Sequence, residues 1–163
     1  MSIERVRQYL AEFGAEGKIL ELSQSSATVE LAAAALGVEP ARIAKTLSFE
    51  GPLGCILIVA AGDTRIDNSK FKNQFHRKAK MLAPDQVDAL IGHSVGGVCP
   101  FAVNREKTEV YLDCSLRRFQ TVFPACGSSN SAIELSCEEL YEYSKAKAWV
   151  DVTKGPDNSS GMN

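Results

Sequence analysis

The chain has 163 residues, 45% of them hydrophobic and 23% charged, and a formal net charge of -2. That balance fits one folded domain with a substantial core and excludes a protein that coats nucleic acid by bulk positive charge, though not one that grips a nucleic-acid end locally. The 5 cysteines (Cys55, Cys99, Cys114, Cys126, Cys137) and 2 histidines (His76, His93) form no C-x-x-C or paired-ligand pattern, so neither a metal site nor a disulfide framework is expected. Free thiols in apolar surroundings behave as small hydrophobes and point to a reducing, cytoplasmic compartment. Met1 to Arg5 does not read as a signal peptide, and no apolar run approaches the roughly 20 residues of a membrane span.

In chain order, Ile3, Val6, Leu10 and Phe13 define the apolar face of a first helix that Ser2 caps and Gly14 stops. Ile19 to Leu22 reads as a short strand, and Ser23 to Ala27 as a polar loop. Thr28 caps a helix over Val29 to Leu36, closed by Gly37. Pro40 opens a short helical turn. Lys45 to Phe49 and Cys55 to Ala61 read as strands joined in a hairpin by Gly51-Pro52-Leu53-Gly54. The second is apolar throughout, as in a strand covered on both faces. A helix follows from Asp67 or Ser69 to Phe75, within a basic segment carrying Arg65, Lys70, Lys72, Arg77, Lys78 and Lys80. Lys80 to Leu82 reads as a short strand, Pro84 to Ile91 as a helix ended by Gly92, and Phe101 to Val103 as a short extended piece. Strands are expected over Glu109 to Asp113, Thr121 to Gly127, Ala132 to Leu135 and Trp149 to Val152. A helical turn lies near Ser115 to Phe119. Ser136 and Glu139 fit a capping box that starts a last helix. Residues 1–153 therefore read as one α+β domain, and residues 154–163 as a flexible tail.

Three stretches carry candidate chemistry. Side chains alternate along a strand, so Lys45 shares the apolar face of Leu47 and Phe49. A lysine there either snorkels to water or opens onto a cavity, where it binds an oxyanion. Gly96-Gly97-Val98-Cys99-Pro100, between a helix and a strand, is either a plain turn or a loop of bare backbone groups that orient a water or hold an oxyanion. Within it, Cys99 is a possible nucleophile with no evident base, and His93 reads as a loop histidine. Asp113 ends an apolar strand and either orients Lys45 or simply closes the strand. Gly127 and Ser128 line a pocket or form a turn. No G-x-G-x-x-G or Walker loop occurs.

Six motifs recur in one order. They are Thr28 to Ala33, Ile43-Ala44-Lys45-Thr46-Leu47, Gly62-Asp63, Gly92 to Phe101, Val110 to Asp113, and Ala125 to Ser128. Together they resemble the YbaK/prolyl-tRNA synthetase-associated domain family over about residues 3 to 150. The resemblance implies a mixed, mostly antiparallel, barrel-like sheet flanked by helices. It implies a free-standing enzyme that hydrolyses mischarged aminoacyl-tRNA, such as tRNA-Pro carrying cysteine or alanine, without cofactor or metal. Lys45, Gly96 and Gly97 match the family's catalytic positions, and Thr46, Pro100, Asp113, Gly127 and Ser128 are taken as substrate-binding. Thr46 stands where family members vary, so it does not specify the amino acid. Implied partners are the tRNA 3′ end and acceptor stem, the latter through the basic segment, and prolyl-tRNA synthetase. The rival reading is a binding module that keeps the fold without turnover.

Overall fold

The apolar run Cys55–Ala61 forms a central strand with every residue buried. The computed structural model, which describes residues 2–94 and 96–155, builds a curled half-barrel sheet around it. In chain order the elements are α1 (Ser2–Ala11), β1 (Ile19–Glu21), α2 (Val29–Leu36), β2 (Ile43–Glu50), β3 (Cys55–Ala61), β4 (Arg65–Ile66), α3 (Asn68–Phe75), α4 (Pro84–Ile91), β5 (Thr108–Asp113), β6 (Thr121–Pro124), β7 (Ser131–Ile133), β8 (Leu135–Ser136), α5 (Cys137–Ser144), β9 (Ala148–Val150) and β10 (Thr153–Lys154). Single 3-10 turns precede β1 and β2 and follow β5.

The large sheet runs β8-β6-β2-β3-β5-β9. The β2–β3 hairpin is antiparallel, in register from Ala44↔Ala61 to Glu50↔Cys55. Strand β5 adds to β3 and β9 to β5, both in parallel, while β6 lies parallel to β2 and antiparallel to β8. Two further antiparallel pairs, β1–β7 and β4–β10, flank it. The six-stranded sheet is mixed, as the resemblance implies, but its pairings are three parallel and two antiparallel rather than mostly antiparallel.

Local chemistry sets the helix ends. Thr28 Oγ1 accepts the Leu31 N–H at 3.1 Å, and Gly37 closes α2 at φ 71°. Asp67 caps α3 through the Lys70 N–H. Ser136 and Glu139 form the expected capping box of α5. Each such cap contributes about 1 kcal/mol.

Alternation along β3 feeds two layers. Ile56, Ile58 and Ala60 pack with Phe49 and with Phe71 of α3, where a chain of rings runs Phe49–Phe71–Phe75–Tyr111 at 4.8–5.0 Å spacing. On the opposite face Val59 and Ala61 meet Val6, Leu10 and Leu140 from α1 and α5. Cys55 and Leu57 there meet Val87 and Ile91 of α4. Among the described residues no helix is long and apolar enough to cross a membrane.

Four expectations need correction. Ala132 to Leu135 is divided at Glu134 into β7, paired with β1, and β8, paired with β6. Lys80 to Leu82 makes only an isolated bridge, Phe49↔Met81, because it meets the last residues of β2, which ends at Glu50, and α4 starts at Pro84. Phe101 to Val103 is a bend, with Ala102 in the left-handed region at φ 56°. Lys154, assigned to the tail, pairs with Arg65 in β10. Residues 156–163 of that tail lie outside the described residues.

Asp113 holds the chain end in place. Fully buried, it accepts hydrogen bonds from the Val152 N–H (2.8 Å), Thr153 Oγ1 (2.7 Å) and the Ser115 N–H (3.0 Å). Asp113→Ala leaves those donors without an acceptor and should lower the unfolding free energy by about 3 kcal/mol. Urea denaturation of the variant measures it; wild-type stability would rule out this anchoring role.

Candidate active site

Strand β2 is covered along only part of its outer edge. Strand β6 pairs with it at Ile43↔Phe123 and Ala44↔Pro124 and ends at Pro124. Further along, the Glu50 N–H donates to the Lys80 carbonyl (2.8 Å) and the Leu82 N–H to the Ser48 carbonyl (3.1 Å). Between these covers lie Lys45, Thr46 and Leu47. In an antiparallel strand, alternate residues point both backbone groups the same way. Ser48 and Glu50 face outward, so Thr46 turns its N–H and C=O into the gap.

A cavity of about 350 Å³ opens there. Its walls are Ile43 to Ser48 of β2, Ser26 to Val29 and Ala32 at the start of α2, Leu82, Pro84 and Val87 around α4, Gly96 and Val98, and Phe123, Ala125, Ser131 and Ala132. Met81, 59% exposed, stands at its edge. None of the lining residues is acidic.

Three loops meet beside the gap. Ser26 is held by its N–H to the Ser129 carbonyl (2.6 Å), and Leu22 likewise to Asn130 (2.7 Å). Gly97 lies against the other loop so closely that a Cβ there would stand 2.8 Å from the Gly127 carbonyl carbon and oxygen. Its N–H donates to the Ser94 carbonyl at 3.0 Å, so Gly97 serves by permitting the approach rather than by offering a donor. Gly96, at φ 97°, lines the cavity between Ala27 and Ser129.

Lys45 is half-buried and points its ammonium at the Thr64 carbonyl, to which it donates. Desolvation pulls its pKa below the ordinary lysine value, against the attraction of the Asp63 and Glu30 carboxylates. Asp63 is itself gripped by Arg118 at 2.6 and 3.1 Å, which holds its carboxyl low. The lysine therefore sits in an electrostatic setting with one partially committed carboxylate nearby.

The structure gives Cys99 a neighbour that was not evident in the sequence. His93 Nε2 lies 3.6 Å from Cys99 Sγ. That nitrogen is 2.7 Å from the Phe101 carbonyl, which only a protonated Nε2 can approach as donor. Burial pushes the Cys99 thiol up to about 12. A thiolate nucleophile is disfavoured on both grounds, and Cys99 is a packed core thiol. His93 is also fully buried, with Nδ1 lacking a partner. Burial lowers its pKa, followed by the Phe101 carbonyl, which raises it, the Arg5 cation, which lowers it, and Asp88, which raises it.

Of the residues singled out in the sequence, Lys45, Thr46 and Gly96 converge on the cavity. Gly97, Gly127 and Ser128 form the loop contact behind it. Pro100 is buried outside the lining. Asp113 is also outside it, fully engaged as an anchor. Asp113, Cys114 and Asp151 come within 4.8 Å of one another, but Asp113 already accepts three hydrogen bonds and Asp151 pairs with Lys70 at 3.1 Å. Ser26 and the wall from α4 were not legible: one lies in a run of serines, the other in an ordinary amphipathic helix.

A family model described as the aminoacyl-tRNA editing domain matches residues 23–143. Among curated proteins, YwhH of Bacillus subtilis, whose name assigns no activity, is 54% identical over 94% of this chain and 98% of its own. A protein of Enterococcus faecalis, provisionally named a Cys-tRNA(Pro)/Cys-tRNA(Cys) deacylase, is 28% identical over 72% of this chain and 73% of its own. A crystal structure described provisionally as a trans-editing enzyme for prolyl tRNA synthetase superposes with a TM-score of 0.83 at 30% identity, covering 94% of this chain and 98% of that one.

Two expectations follow from the geometry. Gly97→Ala drives a methyl into the Gly127 backbone and should cost about 1–3 kcal/mol, whereas Gly96→Ala meets no atom closer than 3.9 Å and should cost about 1–2 kcal/mol through its left-handed backbone alone. Thermal unfolding of the two variants measures the difference. For His93, the folded pKa lies below the unfolded value, so the unfolded chain binds the extra proton first. Stability is then complete above the ordinary imidazole value of 6.5 and declines as pH falls from there through the folded pKa. Unfolding free energies across that window, compared with His93→Gln, should lose this slope in the variant; an unchanged slope contradicts it.

Proposed function

Because the chain belongs to the aminoacyl-tRNA editing domain family, we propose that it is a trans-acting deacylase that hydrolyses the ester between a small, wrong amino acid and the 3′ end of a tRNA, tRNA-Pro first among them. The observation that carries this reading is the convergence of Lys45, Thr46 and Gly96 on one cavity along the open edge of β2.

The chemistry needs little from the protein beyond placement and polarisation. The ester is an activated acyl group; a water or a tRNA hydroxyl attacks its carbonyl carbon, and the C–O bond to the ribose breaks to give amino acid and free tRNA. Lys45 draws in the terminal phosphate or the substrate's oxygen. The Thr46 N–H and the loop backbone at Gly96 face the developing oxyanion and stabilise it. Gly97 and Gly127 let the loops close on the substrate and limit the space for larger side chains. The acceptor stem runs along the basic segment ahead of Met81. Within that segment Lys70 and Lys80 are paired with Asp151 and Glu50, leaving exposed Lys72 and Lys78 as contacts for phosphates. A cytoplasmic site of action beside prolyl-tRNA synthetase fits this role.

A deacylation panel on tRNA-Pro charged with alanine, cysteine, serine or proline tests the reading. Lys45→Ala should reduce turnover of the preferred ester about 100-fold or more with unfolding unchanged, and Cys99→Ala should retain it. Absence of hydrolysis on tRNA-Pro and on a panel of other tRNAs, with tRNA still bound, would instead favour the binding module.

A further inference from the structure

The turn that follows β3 carries two acceptors for one ammonium. The Thr64 N–H and Oγ1 both donate to the Ala61 carbonyl, at 3.1 and 2.7 Å, and the Ala61 N–H donates to Ser115 Oγ at 3.1 Å. Gly62 is wedged so closely that a Cβ there would stand 2.2 Å from the Pro40 carbonyl oxygen. The backbone of the turn is therefore fixed, and with it the Thr64 carbonyl that receives Lys45. What is left to choose is the direction of the Asp63 carboxylate, one residue before Thr64.

That carboxylate turns to Arg118. The Arg118 fork donates to both Asp63 oxygens, at 2.6 and 3.1 Å, while its Nε donates to the Ser115 carbonyl at 2.9 Å. The guanidinium also lies over the Phe119 ring, 5.0 Å from its centroid. A planar fork held in this way is a stronger and more directional partner for a carboxylate than an ammonium on a flexible stem. Among the described residues Lys45 forms no ion pair, although Asp63 lies within its electrostatic reach. The other charged groups nearby are Glu30, which faces Lys45, and Glu39 and Asp113, which face Arg118. Both glutamates are exposed, and Asp113 is engaged by its three hydrogen bonds.

The choice matters to a cation that must meet a substrate. An ammonium has three N–H donors. A neutral carbonyl engages one and leaves the others for an incoming oxyanion. A carboxylate engages the charge itself and competes with that oxyanion. None of Asp63, Thr64 and Arg118 lines the cavity, so the competition is settled behind the site rather than inside it.

We propose that Arg118 is a positioning residue: by clamping Asp63 it keeps Lys45 out of an ion pair and available to the substrate. The inference rests on the deacylase reading and adds to it a residue that touches no substrate.

The test uses the full chain with lysine labelled at Cε, the Lys45 signal being assigned through Lys45→Arg. Its pH titration is followed by NMR in wild type, Arg118→Met, Asp63→Asn and the double variant. Methionine keeps an apolar chain against Phe119 and removes the fork. Arg118→Met should move the Lys45 titration to higher pH, because the freed carboxylate favours the ammonium. Asp63→Asn should move it lower, and the double variant should return it toward wild type. On the tRNA-Pro ester that wild type cleaves fastest, Arg118→Met should lose about 10-fold in kcat/KM, and the double variant should recover most of that loss. Arg118→Lys, which keeps a cation on Asp63, should stay closer to wild type than Arg118→Met. A double variant as slow as Arg118→Met makes Arg118 a structural prop of the turn and overturns the inference. An Lys45 titration in Arg118→Met identical to wild type overturns it as well, and the deacylase reading stands in both cases. Hydrolysis of no ester by wild type, on tRNA-Pro or on other tRNAs, overturns both readings. Should Arg118→Met fail to fold, Asp63→Asn decides, and an unmoved Lys45 titration there overturns the inference.

Discussion

The interrupted edge of β2 is the constraint from which the rest follows. A strand of a large sheet ordinarily has both edges paired or is shielded by charge or a bulge. Here β2 is fully paired with β3 on one side and covered at both ends of the other, by β6 and by the stretch before α4. Only the middle stays open. On one side the cover stops where β6 ends, at Pro124. The gap holds a lysine, a threonine and a leucine, and every loop of the candidate site is arranged around it.

A second constraint is the contact between the two glycine loops. Gly97 and Gly127 pack backbone on backbone, which brings Gly96 and Ser129 to opposite sides of one opening. Val98 and Cys99 of one loop and Cys126 of the other pack into the core, but the crossing itself is made by backbone. Their approach depends on the absence of side chains, so the shape of the cavity rests on van der Waals contact that any Cβ would prop apart.

Much of the fold was legible because its signals are local. The α2 cap at Thr28, the stop at Gly37, the β2–β3 hairpin and the capping box at Ser136 each depend on residues within a few positions of one another, and each stands where the sequence placed it. The site was legible in part for the same reason: strand alternation alone puts Lys45 with Leu47 and Phe49, and the cross-strand partners Ala60, Ile58 and Ile56 bear that out. What escaped depends on distant partners. Asp113 reads equally as a strand end or a partner of Lys45 until Val152 and Thr153 are set beside it. Gly97 and Gly96 look alike until Gly127 is set beside one of them. Ser26 is one serine among several until its backbone is tied to Ser129.

The anchoring of Asp113 reaches farther than its own surroundings. Its bonds to Val152 and Thr153 fix the segment that forms β10, and β10 lies along β4 while the Val152 carbonyl accepts the Asp67 N–H at 2.8 Å. Strand β4 begins one residue after Thr64, whose carbonyl receives the Lys45 ammonium. The β10 segment thus braces the strand that begins beside the carbonyl receiving Lys45. Residues 151–154, which touch no wall of the cavity, belong to the mounting of its charge: they connect to Lys45 through one strand and one carbonyl.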